Sequence, residues 1–321
     1  MSNKTKISLI VATSRILIGS IIFLGVMTML KWDFNKLSTV KYETNVYEIN
    51  EKFNDISVNV KTANVTFSAC NDSKISVECF EQKNVKHTVN VIDGKLVINA
   101  VDTRKWYEYI GFSFKTPKVT VYLPLSEYGM LNIKSNTGNI QMPKGLVFES
   151  IDVSLNTGKF LCETSAMKDV KIKSTTGDIY IKDLSANSLD LAVTTGDIVV
   201  QSVTCQSFAK IKVNTGDSKI SDMKCESFQS NGNTGDISLK NVVASEGFII
   251  ERGTGDVSFD SCDAAEIFVE TSTGDVKGNL LSDKVFIAKS DTGKVNVPKT
   301  VLGGRCEIKT DTGNITLSIV E

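Results

Sequence analysis

The sequence contains a single histidine, His87, and only four prolines in 321 residues. One histidine excludes sites built on a pair of imidazoles, and so few prolines exclude a Pro-rich, disordered chain. An excess of one charge is also missing. Thirty-six Lys+Arg face 37 Asp+Glu, a formal net charge of −1, which excludes a chain that coats nucleic acid. No Cys-x-x-Cys occurs, so zinc-ribbon and thioredoxin-like motifs are absent. Nucleophile elbows and phosphate loops are absent as well.

One long apolar run is present. Residues 7–30 read ISLIVATSRILIGSIIFLGVMTML and carry one charge, Arg15. At about 1.5 Å per residue this run covers roughly 36 Å, enough for a hydrocarbon core of about 30 Å. No small-x-small cleavage pattern follows it, so an uncleaved anchor is expected rather than a signal peptide. Trp32 stands just past the run, where an interfacial aromatic belongs. Lys4, Lys6 and Arg15 on one side balance Lys31, Lys36 and Lys41 on the other, so charge does not choose the orientation. An inside N-terminus is expected because only a short tail then stays behind. The chain divides into a tail and transmembrane anchor (1–31), a linker (32–45), a β-rich capping region (46–130) and a repeat (131–321).

The repeat is set by Thr-Gly pairs with Gly at 138, 158, 177, 196, 216, 235, 255, 274, 293 and 313, spaced by 19 or 20 residues. Two residues after each Gly stand Ile140, Phe160, Ile179, Ile198, Ile237, Val257, Val276, Val295 and Ile315, with Ser218 the exception. Four after stand Met142, Cys162, Ile181, Val200, Ile220, Leu239, Phe259, Val297 and Leu317, with Gly278 the exception. Positions seven and five before the Gly are likewise apolar, as in Leu131/Ile133 and Val170/Ile172. Positions seven and nine after it are apolar or small, as in Leu184/Ala186, and Met167 falls on the second of these. The period within each stretch is two, the mark of a strand with one face inward. Three inward stretches per 19–20 residues describe one coil of a β-solenoid, and a coil buries its apolar face only by stacking on others. Ten coils at about 4.8 Å each make a rod of roughly 48 Å. The fold class expected is all-β: a single-stranded β-solenoid of about ten coils with a β-rich cap and one transmembrane helix. Thr62-Ala63-Asn64-Val65 imitates the corner with Ala for Gly, and Asp93-Gly94 between apolar strands reads as a hairpin turn. The distal end is expected at Ser318–Glu321.

The stretches FNDISVNVKTANVTF, HTVNVIDGKLVINAV and KVTVYLPLSEYGMLNIKSNTGNI, followed by the serial Thr-Gly-Asp corners, resemble the bacterial putative-adhesin domains of unknown function over residues 45–321. The resemblance implies a β-solenoid behind a membrane anchor and carries no catalytic residues.

Candidate sites follow from columns of like residues. Asp178, Asp197, Asp217, Asp236, Asp256 and Asp275 follow the Gly in six consecutive coils. Carboxylates repeating about 5 Å apart repel, so they read either as acceptors of local backbone N–H bonds or as calcium ligands. Six residues before the Gly the side chain points outward, and there Ile249, Phe268 and Ile287 replace polar residues. These three form a candidate contact for a partner or a second copy. Cys162, Cys205, Cys225, Cys262 and Cys306 fall on inward positions and read as free core thiols; Cys205–Cys225 and Cys70–Cys79 are the alternative pairs. Residues 106–114 (WYEYIGFSF) are the densest aromatic stretch, expected to be a strand or an insertion over the cap, with a membrane or glycan contact as the alternative.

The function expected is that of a non-catalytic, membrane-anchored cell-envelope scaffold or adhesin, with a possible place in envelope stress, an extracytoplasmic C-terminal domain and no cofactor. Its partners are the membrane, through residues 7–30, and an unknown protein or envelope glycan; nucleic acid is excluded. A carbohydrate-binding or carbohydrate-processing β-helix and a calcium-rigidified stalk are the alternatives.

Overall fold

The computed structural model describes residues 3–71, 74–109, 113 and 115–320. The first element, α1 (Asn3–Met29), has a mean hydropathy of 2.2 and is long and apolar enough to cross a membrane. It is apolar all round, and Ile7, Ile10, Ile16 and Ile21 are all exposed, so it fits an apolar surrounding. Three of its hydroxyls are internally satisfied: Thr13, Ser14 and Thr28 donate to the carbonyls one turn back. Lys31 and Trp32 take left-handed φ values of 54° and 58° and end the helix. A 3₁₀ turn, Phe34–Leu37, leads to the first strand at Tyr42, inside the stretch read as a linker.

Residues 42–320 build the solenoid and its cap. Each coil pairs with the next in parallel and in register, for example Ile151↔Val170, Leu189↔Ala209 and Thr195↔Thr215. All ten corner glycines have φ between 123° and 158°. Each corner is tied across the stack: Gly177 N donates to Thr195 O at 2.9 Å, and Gly216 N to Thr234 O at 3.0 Å. A Cβ on Gly216 would press into the carbonyl of Gly196 below it, so glycine is required by close approach as well as by φ. Ile179, Ile198 and Ile237 are fully buried, as are most members of the expected inward columns.

A second corner appears that the Thr-Gly period does not reveal. Asp183, Ser202, Asp222, Asn241 and Ser261, each six residues after the Gly, have φ of 51–56°. Asp, Asn and Ser tolerate this region best among non-glycine residues. The turn resets the in–out parity, so that positions four, seven and nine after the Gly all face inward. The Gly158 coil lacks the left-handed residue and keeps simple alternation: Cys162, Thr164 and Ala166 are buried. Met167 is therefore 49% exposed, a correction to its expected inward position.

At the distal end the coils are not stacked in chain order. Lys284–Thr292 pairs with Gly304–Thr312, which pairs on its other side with the second half of Val257–Thr273. Gly274 N donates to Thr312 O at 2.9 Å, and Gly313 N to Thr292 O at 3.0 Å. The order is thus Gly255, Gly274, Gly313, Gly293, with the last coil inserted beneath the one before it. The skipped level is held by Lys284, whose buried Nζ meets Asp263 Oδ1 at 2.7 Å and Ser282 Oγ at 2.5 Å. A buried ammonium is tolerated only with such partners. The Thr300 hydroxyl donates to the Lys284 carbonyl from the returning loop. The Gly293 coil is outermost, which leaves Val295 43% exposed and corrects its expected burial. The expected terminus of the rod at 318–321 is corrected too, and Glu321 lies outside the described residues.

At the proximal end Asp55–Thr62 lies in register with Glu127–Thr137, and Ala63 N donates to Thr137 O at 3.1 Å, so Thr62-Ala63-Asn64 does form a corner. Antiparallel strands Tyr42–Ile49, Ile75–Gln82, Val85–Ile92 and Lys95–Asp102 close this end and cover its edge. Asp93 and Gly94 both have positive φ, 50° and 71°, as a type I′ hairpin turn requires.

Candidate interaction surface

The aspartate column is a ladder of side-chain-to-backbone bonds. Asp178, Asp197, Asp217, Asp236 and Asp256 each accept, at Oδ1, the backbone N–H of the Asp in the next coil, at 2.8–3.2 Å. Asp275 accepts from Asn314 and Asn314 from Lys294, so the ladder follows the spatial order through the inserted coil. Asn64 and Asn139 start it. The Asp275 amide and then Lys277 hold the Asp256 carboxyl below the usual carboxylate range. Asn supplies the same acceptor oxygen without the charge. Asp197→Asn should therefore leave the denaturation midpoint unchanged or raised, while Asp197→Ala should cost about 1 kcal/mol. Equal losses for both would mean that the charge, not the acceptor, matters.

The solenoid interior holds one charge that the inward columns do not announce. Arg252 is 4% exposed and spans two coils. Its Nη1 donates to Val213 O at 3.0 Å and its Nη2 to Ser218 Oγ at 3.1 Å, while Nε has no partner. Burial pulls the guanidinium pKa down, opposed by Asp217 and Asp236. Gly232 lies in the coil between, and a Cβ there would run into Nη1. Ser218, the exception in its column, is thereby explained: it is the partner of a buried guanidinium. The signal was present as Gly232 and Ser218, one and two coils away from Arg252.

The outward row is interrupted, a correction to its expected continuity. Ile249 and Phe268 are register partners, but Glu307 of the inserted coil follows, and Ile287 comes only after it. Ile249 and Ile287 are exposed and Phe268 is half-buried. Ile249 and Phe268 line a groove of about 460 Å³ with Phe248, Glu246, Glu266 and the Arg305–Glu307 ion pair (2.5 Å). The same face two to four coils earlier is basic: Lys173, Lys210 and Lys212 line a second groove of about 650 Å³.

Cys79, Cys162, Cys205, Cys225, Cys262 and Cys306 are free thiols, and burial pushes Cys79, Cys162, Cys205, Cys225 and Cys306 up to about 12. Among the described residues, Cys79, Glu81 and His87, all buried in the cap, bring their ligand atoms within 4.8 Å of one another. Glu81 is already engaged: Asn45 Nδ2 donates to Oε1 at 2.6 Å, the His87 amide to Oε2 at 2.6 Å, and His87 Nδ1 lies 2.7 Å from Oε2. The described part of the aromatic stretch is not a strand. Trp106–Tyr109 is a 3₁₀ turn, and Ile110, Gly111, Phe112 and Phe114 lie outside the described residues.

Among solved structures, a putative adhesin from Parabacteroides merdae is 12% identical with a TM-score of 0.49, over 74% of this chain and 96% of that one. A putative lipid binding protein from Parabacteroides distasonis is 16% identical with a TM-score of 0.48, over 75% and 95%. A putative adhesin from Bacteroides fragilis is 15% identical with a TM-score of 0.44, over 87% and 97%. No curated protein matches the chain. The family described as Toastrack DUF4097 matches residues 53–222 and 207–321, most of the chain, including every corner, the groove and the cap apart from its first strand, and the chain belongs to that family.

Proposed function

We propose that this chain is a non-catalytic interaction scaffold of the cell envelope, held by α1 as a single-pass anchor with the solenoid exported. The observation that carries this reading is the groove at Ile249 and Phe268, where neighbouring apolar side chains face out between carboxylates. Near-constant coil length supports a non-catalytic role, since β-helix enzymes gather their carboxylates on long loops. The occupant is a second copy of the chain. Laid antiparallel, one rod sets its exposed Lys173, Lys210 and Lys212 against the exposed Glu246, Glu251, Glu266 and Glu270 of the other, around the apolar pair. Such a contact is self-complementary, as a two-fold interface requires.

Sedimentation of the full chain in detergent tests this. The parent should run as a dimer and Phe268→Glu as a monomer. Lys210→Glu with Lys212→Glu should also dissociate it, and adding Glu251→Lys with Glu270→Lys should restore it. A parent that is monomeric throughout ends the self-association reading.

A further inference from the structure

The Trp106–Tyr109 turn is exposed but not loose. Trp106, Tyr107 and Tyr109 are 79%, 51% and 58% exposed, the largest display of aromatic surface in the exported part. The backbone beneath them is pinned. Thr103 N donates to Asn84 O at 2.9 Å, Asn84 Nδ2 to Glu108 Oε1 at 2.9 Å, and Lys105 N to Glu108 Oε2 at 2.8 Å. Arg104 is forked onto Asp102 and covers the Tyr109 ring at 4.2 Å, while Trp106 and Tyr107 meet edge to face. Rings held rigidly in water by a polar frame mark a contact surface.

The position of this surface identifies what it touches. The turn stands where the chain leaves the anchor. Thr39, Val40 and Lys41 line one pocket with Arg104, Tyr107 and Glu108. Lys83 N donates to Lys41 O at 3.1 Å. Tyr42 stacks on Phe80 at 5.0 Å and donates its hydroxyl to Lys115 O at 2.8 Å. From Met29 at the end of α1 to Tyr42 the leash cannot exceed roughly 45 Å, and its 3₁₀ turn shortens it. Lys41, Lys83, Lys105 and Lys115, all exposed, surround the rings. Trp and Tyr flanked by Lys are the side chains that prefer the headgroup layer, where one end of the ring is apolar and the other wet.

We infer that the Trp106–Tyr109 turn docks onto the lipid headgroup region of the membrane that α1 crosses. This rests on the anchor reading. The cap is then seated on the bilayer at two points, α1 and the turn, and the rod has a defined attitude instead of swinging on its leash. Lys41, Lys83, Lys105 and Lys115 favour anionic lipid at the seat.

The chain has two tryptophans, Trp32 and Trp106, which makes the test direct. The full chain is reconstituted into vesicles of zwitterionic and anionic lipid, with or without lipid brominated near the headgroup. In Trp32→Phe the remaining Trp106 should emit to the blue of its position in detergent-free, denatured chain and lose intensity with brominated lipid. In Trp106→Phe the remaining Trp32 reports the anchor alone. Quenching of Trp32 without quenching of Trp106 overturns the docking turn and leaves the anchor standing. Quenching of neither overturns both. Loss of Trp106 quenching when anionic lipid is omitted supports the lysine contribution; quenching that is indifferent to lipid charge refutes that part.

Discussion

Gly216→Val is expected to cost about 4 kcal/mol, combining a strained left-handed φ with a backbone clash. The glycine has φ 133°, and its absent Cβ is where the Gly196 carbonyl packs. Neither burden relaxes locally, because the colliding atom is main chain and the corner amide is bonded to Thr234 O at 3.0 Å. Thr215→Ala, one residue away, should change stability by less than about 0.5 kcal/mol, since that side chain is exposed and only its carbonyl serves the ladder. Denaturant unfolding of both variants decides the matter. Comparable losses would show that the corner depends on the threonine hydroxyls and not on close approach of glycines.

Ser218→Ile restores the aliphatic residue that other coils carry and should nevertheless cost about 3 kcal/mol. It removes a hydrogen-bond acceptor from a buried guanidinium and overfills the space that the guanidinium occupies. Combined with Arg252→Thr, the residue type found at the equivalent Thr271 and Thr310, the same substitution should regain most of that loss. The coupling between the two sites should reach about 2 kcal/mol in a double-mutant cycle. Additive effects would separate Arg252 from Ser218 and leave the exception in the column unexplained.

These two residues show where the sequence was legible and where it was not. The corner period and the inward columns could be read because every coil repeats the same constraint: Ile179, Ile198 and Ile237 each fill one layer of the same interior. Arg252 breaks its own column, and its compensations lie one and two coils away, so no single-coil pattern contains them. The second corner was hidden because Asp183, Ser202, Asp222, Asn241 and Ser261 achieve with polar side chains what glycine achieves at the first. The inserted coil was illegible for a different reason. Parallel in-register ladders accept any coil of matching pattern, so Gly293 and Gly313 are interchangeable by pattern alone. The distinguishing chemistry is small: Asn314 offers an oxygen to the amide of Lys294, whereas Lys294 has none to offer and sits at the end, where none is needed. The outward groove was half-legible for the same reason. Ile249 and Phe268 adjoin as the period implies, but the insertion places Glu307, not Ile287, beside them.

The inserted coil also decides how the rod responds to load. Residue 320 emerges one layer below the tip, between the Gly274 and Gly293 coils. Tension applied there shears two ladders at once, whereas peeling from a free end would break them one at a time. The inserted coil is therefore latched between its two neighbours, and slack must first appear in the 281–303 crossover.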